Sequence, residues 1–119
     1  MNKFIFTGRL TKDAEIKTTP SGKKVATITL AVDRRHKKEN GPTADFFRVI
    51  IWDKLAEIVE KYTAKGKQIA VGGRVETHSA EANGEKKYYT DFIAEEITLL
   101  GSKPEGNQGG QFPDSEIPY

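Results

Sequence analysis

The chain of 119 residues is long enough for one domain with a modest hydrophobic core. It has no cysteine, which excludes disulfides and thiolate chemistry, and no apolar run of the roughly 18 residues that a membrane span needs. The net charge of +2 is unevenly distributed, since residues 1–100 carry +4 and residues 101–119 carry −2. A mildly basic body with an acidic tail indicates an anionic partner for the body.

The first half of the chain shows the two-residue alternation of β-strands. Residues 3–10 alternate, and a second extended stretch, AEIKTT, ends in the turn signal Pro20-Ser21-Gly22. KVATITLAVD then places Ile28, Leu30 and Val32 on one face, as a half-buried strand requires. The basic loop RRHKKENGP separates it from the next predicted strand, ADFFRVIIW.

The period changes from two to that of a helix after this strand. The apolar residues there have the spacing of an amphipathic helix, and they are Leu55, Ile58, Val59 and Tyr62. Asp53 is the predicted N-terminal cap and Gly66 the predicted stop.

Two strands complete the predicted domain. QIAVGGRVETHS contains Gly72-Gly73, which predicts a bulge or sharp bend. Ala82-Asn83-Gly84-Glu85 predicts a hairpin turn before KKYYTDFIAEEITLL. Three strands, a helix and two strands are the element order of the OB-fold, an all-β, five-stranded Greek-key barrel with its helix between strands 3 and 4. A generic antiparallel sandwich with one helical excursion is the alternative.

The strand ADFFRVIIW has two different faces. Phe47, Val49 and Ile51 form an apolar face for the barrel interior. The opposite face carries two aromatic residues, an arginine and an aliphatic residue, which are Phe46, Arg48, Ile50 and Trp52. Such a face can stack bases and neutralise phosphate; alternatively, both faces are buried, one of them against the helix or a subunit partner.

Basic residues accompany aromatic residues at two further places. The loop before this strand contains Arg34, Arg35, His36, Lys37 and Lys38, and the last strand opens with Lys86, Lys87, Tyr88 and Tyr89. Read alone, each run of charges is an ordinary solvated loop. Together with the aromatic strand, they favour a nucleic-acid surface with salt-dependent binding.

The sequence does not favour an enzyme. The two histidines, His36 and His78, have no metal-ligand spacing, and Glu95-Glu96 would point to opposite faces of a strand. Gly72-Gly73 lacks the pattern of a phosphate-binding loop. We therefore predict no catalytic residue, no metal site and no cofactor.

Three stretches together resemble the bacterial and phage single-stranded DNA-binding proteins. They are NKFIFTGRLTKDAEIKTTPSGKKVATITLAVDR, ADFFRVIIWDKLAEIVEKYTAKGKQIAVGGRVET and YYTDFIAEEITLL, and they cover essentially residues 2–100 in order. The resemblance implies an OB-fold, usually a homotetramer, that wraps single-stranded DNA without marked sequence preference.

The resemblance also implies base-stacking positions. Phe46 and Trp52 match two aromatic positions of the family, and His36 stands at a third. The fourth falls near Ala80, where this chain has no aromatic residue, unless Tyr88 or another neighbour substitutes. We therefore expect fewer stacking contacts per subunit and more dependence on lysine and arginine.

The end of the chain, DSEIPY, resembles the family's acidic C-terminal tip, which docks into basic-rimmed pockets on replication, recombination and repair enzymes. The predicted partner-binding residues are the charged Asp114 and Glu116, the apolar Ile117 and Tyr119, and the stiffening Pro118. The prediction divides the chain into a DNA-binding domain (1–100), a flexible linker (101–113) and this tip (114–119).

The leading interpretation is a non-enzymatic coat for single-stranded DNA that recruits partner enzymes during replication, recombination and repair. It implies a location in the bacterial cytoplasm or nucleoid, or in the host cytoplasm for a phage protein, with no membrane partner. An OB-fold RNA-binding or primosome accessory protein is one alternative. A non-catalytic assembly module that buries Phe46 and Trp52 in an oligomer is another.

Overall fold

Six strands and one helix follow one another in the computed structural model, which describes residues 1–36 and 39–101. The elements are β1 (Phe4–Leu10), β2 (Glu15–Thr18), β3 (Lys24–Asp33), β4 (Ala44–Trp52), α1 (Asp53–Tyr62), β5 (Gln68–Ala82) and β6 (Glu85–Leu99). α1 has ten residues, and no helix in these ranges is long and apolar enough to cross a membrane.

Five of the strands close into a ring in the order β1-β5-β6-β4-β3, because β3 also pairs with β1 at Arg9↔Ala31 and Leu10↔Leu30. The ring is antiparallel except for β4 and β6, which pair in parallel at Val49↔Phe92 and Ile50↔Ile93. β2 pairs only with the first half of β3, on the edge that β1 occupies farther along. The predicted five-stranded OB-fold barrel with one helical excursion is confirmed, and β2 is an addition to it.

The core lies inside this ring and is built from the inward sides of its strands and from one face of α1. Its largest fully buried side chains are Leu10, Ile28, Leu30, Val49, Ile51, Val59, Ile69 and Val71. Four phenylalanines extend it: Phe6 stacks on Phe47 with ring centroids 4.2 Å apart, and Phe4 and Phe92 meet them at tilted or edge-on angles. Burial of these aliphatic and aromatic groups is the main favourable term holding the barrel closed.

The helix packs against the core with a narrower face than its sequence predicts. Ala56 and Val59 are fully buried and Leu55 is half-buried. Ile58 and Tyr62, predicted to share the apolar stripe, are 36% and 60% exposed. The helix therefore faces the core with Ala56 and Val59, and it turns Ile58 and Tyr62 toward solvent.

Both predicted helix boundaries are wrong in detail. The position before the first turn is Trp52, with extended backbone, while Asp53 belongs to that turn at φ 56° and makes no capping hydrogen bond. The helix ends at Tyr62, and Thr63 caps it through its backbone N–H and its hydroxyl, which both donate to the carbonyl four residues earlier. Gly66 lies in the following turn at φ 89°. Main-chain geometry and helix packing decide these ends more than side-chain capping propensity does.

The predicted bend at Gly72-Gly73 is confirmed as a shift in the register between β5 and β6. A Cβ atom at Gly73 would lie 1.9 Å from the carbonyl oxygen of Ile93, so no larger residue fits there. The bulge lets two long strands bend from one side of the barrel to the other.

Beyond the barrel, β5 and β6 continue as a two-stranded hairpin. All residues from 76 to 90 are exposed, and this segment is referred to as the arm. Its tip is the predicted Asn-Gly turn, with Asn83 at φ 54° and Gly84 at φ 78°.

Candidate nucleic-acid interface

The two faces of β4 are as the alternation predicts. Val49 and Ile51 are buried completely on the inner face. On the outer face, Phe46 is 65% exposed and Trp52 is 40% exposed, with Arg48 exposed between them. Burial of both faces within the subunit is therefore wrong, and the outer face is a solvent-facing row of rings and charge.

Neighbouring residues on β3 leave this row accessible. In the β3–β4 ladder, Ala31 stands opposite Phe46 and Thr29 stands opposite Arg48. Alanine and threonine are short, so the aromatic and guanidinium groups of β4 rise above the surface beside them. The flat faces of the rings on β4 are therefore accessible to a base for stacking.

A groove of about 410 Å³ lies next to Phe46. Ladder pairing places Arg9 opposite Ala31, and Ala31 opposite Phe46, so these three residues form one row across β1, β3 and β4. Lys65 lines the same groove. Sequence reasoning missed Arg9 because its closeness to Phe46 depends on strand pairing, although its outward parity on β1 was an available signal. It missed Lys65 because the turn before β5 is held beside the end of β1 by the hydrogen bond from the Gly66 N–H to the carbonyl of Leu10.

The charged residues near β4 differ in how far they are already paired. Arg34 forms a bidentate ion pair with Asp45, in which Nε donates to Oδ2 at 3.0 Å and Nη2 donates to Oδ1 at 2.7 Å. The hydrogen bonds raise the pKa of Arg34 and lower the pKa of Asp45. Arg48 makes no ion pair with another described residue. Arg48 is thus the more available cation for a phosphate.

The rest of the predicted basic loop lies beside this face. Arg35 and His36 are exposed in a bend, and the backbone N–H of Arg34 donates to the carbonyl of Thr43 at 2.9 Å. Lys37 was predicted to bind DNA as well, and with Lys38 it lies outside the described residues. The anchored Arg34 holds the start of the loop next to the beginning of β4.

The predicted residues of the arm are all exposed. Lys86 and Lys87 precede two tyrosines, and Tyr88 and Tyr89 are 74% and 44% exposed. The alternation predicts one outward tyrosine; both are exposed because neither face of the arm is covered. The Nζ atom of Lys86 lies 6.0 Å from the ring centroid of Tyr88.

The predicted partner-binding tip lies outside the described residues. Its residues, Asp114, Glu116, Ile117, Pro118 and Tyr119, are therefore predictions from the sequence alone, as is the division of the chain at residues 101 and 114.

A closed barrel of this topology, with an exposed aromatic and cationic strand on its outer face, defines a protein of the OB-fold class. The single-strand binding protein family matches residues 1–100. The chain belongs to this family.

Several curated relatives are similar over most of their length. The single-stranded DNA-binding protein 3 of Clostridium acetobutylicum is 49% identical, over 84% of this chain and 71% of its own. The single-stranded DNA-binding protein of Clostridium tetani is 46% identical, over the whole of this chain and 86% of its own. The single-stranded DNA-binding protein of Streptococcus pneumoniae TIGR4 is 40% identical, over 94% of this chain and 74% of its own.

Proposed function

We propose that the chain binds single-stranded DNA along the outer face of β4, without marked sequence preference and without catalysis. One observation carries the proposal: Phe46 and Trp52 are exposed on either side of Arg48, on a strand whose other face is the barrel core. Membership of the single-strand binding protein family, and the similarity to single-stranded DNA-binding proteins of two clostridia, support it.

Stacking and charge have different parts in this binding. Every base has a flat face, so stacking on Phe46 and Trp52 is worth about 1–3 kcal/mol per base whatever the sequence. Phosphates would contact Arg48 and the exposed side of the basic loop, with Arg35 and His36 in it. The groove past Phe46 adds Lys65 and Arg9, and Arg9 lies 3.7 Å from Asp33, which lines the same groove.

We also propose a homotetramer. A groove of about 460 Å³ lies on the outer side of β1, β5 and β6, and its lining includes Ala70, Thr98, Leu100 and Ile5, which is 73% exposed. An outward isoleucine in a mostly apolar groove, with Glu96 as its one charged lining residue, suits contact with a second copy. Light scattering should give the mass of four chains, and Ile5→Glu should lower it.

Three further parts of the proposal concern the cell. The protein would protect single-stranded DNA during replication, recombination and repair, in the cytoplasm. The tip at residues 114–119 would recruit the enzymes of these processes, through its two carboxylates and apolar end. Removing residues 114–119 should abolish binding to such enzymes while DNA binding is retained.

The test of DNA binding uses the fluorescence of Trp52, the only tryptophan in the chain. Poly-dT is titrated at low and high salt, with duplex DNA of the same length and poly-U as comparisons. We expect strong quenching by the single DNA strand, little effect of the duplex, and weaker binding as salt rises.

Each other result rejects a defined part of the proposal. Binding without quenching would mean that Trp52 does not stack on a base. Tighter binding of poly-U would favour the RNA-binding alternative. No binding of any single strand would favour the assembly module, with Phe46 and Trp52 buried between copies.

A further inference from the structure

A carboxylate lies in the groove beside Phe46. Asp33 is the last residue of β3, and it lines the groove of about 410 Å³ together with Phe46 and Arg9. In the β3–β4 ladder Ala31 stands opposite Phe46, and Asp33 stands opposite Ala44, two residues farther along each strand. An even step along a strand preserves the face, so the register places Asp33 on the outer face with Phe46.

The arginine beside this carboxylate pairs with it only loosely. Oδ2 of Asp33 lies 3.7 Å from Nη1 of Arg9, and the two side chains are 59% and 49% exposed. The bidentate pair of Arg34 and Asp45 is tighter, with its closest nitrogen and oxygen 2.7 Å apart. An exposed and loose ion pair stabilises the fold little and leaves both charges in contact with solvent. Asp33 therefore presents a negative charge to any ligand that enters the groove.

This charge acts on a phosphate in two ways. Asp33 repels a phosphate that comes close to Phe46, because like charges at short distance repel each other. It also competes with that phosphate for the guanidinium group of Arg9. Replacing the carboxylate by a neutral amide would remove both effects and leave Arg9 and Lys65 as the charged residues lining the groove.

Duplex and single-stranded DNA differ in how strongly they depend on this charge. The bases of a duplex are stacked on one another, so a duplex reaches the outer face of β4 only through its phosphates, at about one charge per 1.7 Å of helix axis. A single strand also gains from stacking of its bases on Phe46 and Trp52. Its flexible backbone can turn a phosphate away from Asp33 while a base stays on Phe46, whereas a stiff duplex has no such freedom.

We propose that Asp33 is a specificity-determining residue, whose charge weakens the binding of duplex DNA to the outer face of β4 more than it weakens the binding of a single strand. The inference rests on the proposed function, in which this face binds single-stranded DNA. It gives a role to a carboxylate that lies between the cations of the groove and lowers their attraction for phosphate. The stacking rings then contribute a larger share of the affinity, and only a single strand offers bases to them.

The experiment compares wild type with Asp33→Asn, which keeps the size of the side chain and removes its charge. Labelled oligo-dT of about 16 nucleotides and a labelled duplex of the same length are titrated with each protein, and fluorescence anisotropy gives the affinities. At about 50 mM salt we expect Asp33→Asn to bind the duplex about tenfold more tightly, the effect of one further phosphate contact. The affinity for oligo-dT should rise less than about threefold, because its phosphates already avoid Asp33.

A matched variant separates the position of the charge from the net charge of the protein. Glu57→Gln removes one exposed carboxylate from α1, which follows Trp52 at one end of β4. Asp33 pairs with Ala44 at the other end of this strand, roughly 26 Å away at about 3.3 Å per residue. Because salt screens charges over about 10 Å, Glu57→Gln should raise the duplex affinity less than about twofold.

A double variant tests whether Asp33 acts in part through Arg9. Arg9→Gln alone should lower the duplex affinity little, because Asp33 already offsets the charge of that guanidinium group. The same change made in Asp33→Asn should remove most of the gain, because Arg9 is then the cation that contacts the additional phosphate. The two changes are thus expected to be non-additive. Circular dichroism checks that each variant is folded.

Three results would overturn the inference and leave the proposed function intact, provided that wild type binds oligo-dT with quenching of Trp52. They are a duplex affinity of Asp33→Asn that is unchanged or lower, a rise for the single strand as large as that for the duplex, and an effect of Glu57→Gln equal to that of Asp33→Asn. If wild type binds no single strand, the proposed function fails first, and the inference fails with it.

Discussion

Strands β5 and β6 form one continuous ladder, yet its two halves differ in almost every physical respect. In the barrel half, Ile69 and Val71 are buried and the register is fixed by the bulge at Gly73. In the arm, every side chain from 76 to 90 is exposed. The same backbone pairing therefore serves as scaffold at one end and as an open surface at the other.

This difference decides how each half can hold a ligand. A ring on the outer face of β4 is positioned by a strand whose other face is packed in the core. A ring on the arm is positioned only by cross-strand neighbours, such as the stacked His78 and Tyr89. We expect the arm to open locally at a lower free energy than the barrel, because few buried contacts resist it.

The strongest prediction concerns the stability of the barrel half of the ladder. Gly73→Ala should lower the free energy of unfolding by about 3 kcal/mol or more, because the new Cβ atom would overlap the carbonyl oxygen of Ile93. Urea unfolding followed by circular dichroism measures the change.

The matched control is the glycine at the tip of the arm. Gly84→Ala meets no atom within 4 Å and should cost only about 1 kcal/mol, from its backbone angle of φ 78°. Equal losses in the two variants would contradict the comparison between barrel and arm.

The next effect concerns stacking on the barrel. Phe46→Leu should weaken binding of oligo-dT by about 1–3 kcal/mol, the contribution of one stacked base, with little change in stability because Phe46 is 65% exposed. Titration of Trp52 fluorescence gives the affinity. Tyr62→Leu, on the exposed side of α1, is the control for loss of a surface ring and should bind as wild type does. A similar loss in both variants would argue against a specific stacking site at Phe46.

A smaller effect distinguishes the two arginines. Arg48→Gln should reduce the slope of log affinity against log salt by about 0.7, the value for one phosphate contact on a single strand. Arg34→Gln should reduce this slope less, because the guanidinium group of Arg34 already forms an ion pair with Asp45. The slopes come from titrations at several salt concentrations, and a larger change in Arg34→Gln would reverse this assignment.

The smallest effect is a pH dependence of the Arg34–Asp45 pair. Hydrogen bonds from Arg34 lower the pKa of Asp45 in the folded state. The pair therefore stabilises the fold above the unfolded carboxyl pKa of about 3.9, and this contribution is lost as pH falls through the lower folded pKa.

Two measurements test the pH dependence. Carboxyl NMR should show the midpoint of Asp45 moving upward in Arg34→Gln. The difference in melting temperature between wild type and Asp45→Asn should be present at neutral pH and vanish in strong acid. An unchanged midpoint in Arg34→Gln would show that another group lowers the pKa of Asp45.

The faces of β4 and the turn at Asn83-Gly84 could be predicted because they depend on local rules. Alternation assigns Phe46 and Trp52 to one side of a strand, and an Asn-Gly pair supplies the positive φ angles of a tight hairpin. The position of the helix along the chain was predictable but its orientation was not, since it buries Ala56 and Val59 and leaves Ile58 and Tyr62 exposed.

Local patterns in the sequence are thus enough to predict the succession of strands and helix along the chain, the aromatic character of one strand face and the positions of the bends. The folded barrel is needed to show which distant residues share a surface: Arg9 is in one row with Phe46, Asp45 pairs with Arg34, and Tyr89 rather than Tyr88 has the parity of the outer face. The physical reason is that alternation sets a side chain's face relative to its own strand. Which strands become neighbours, and in what register, is set by closing the barrel around its core.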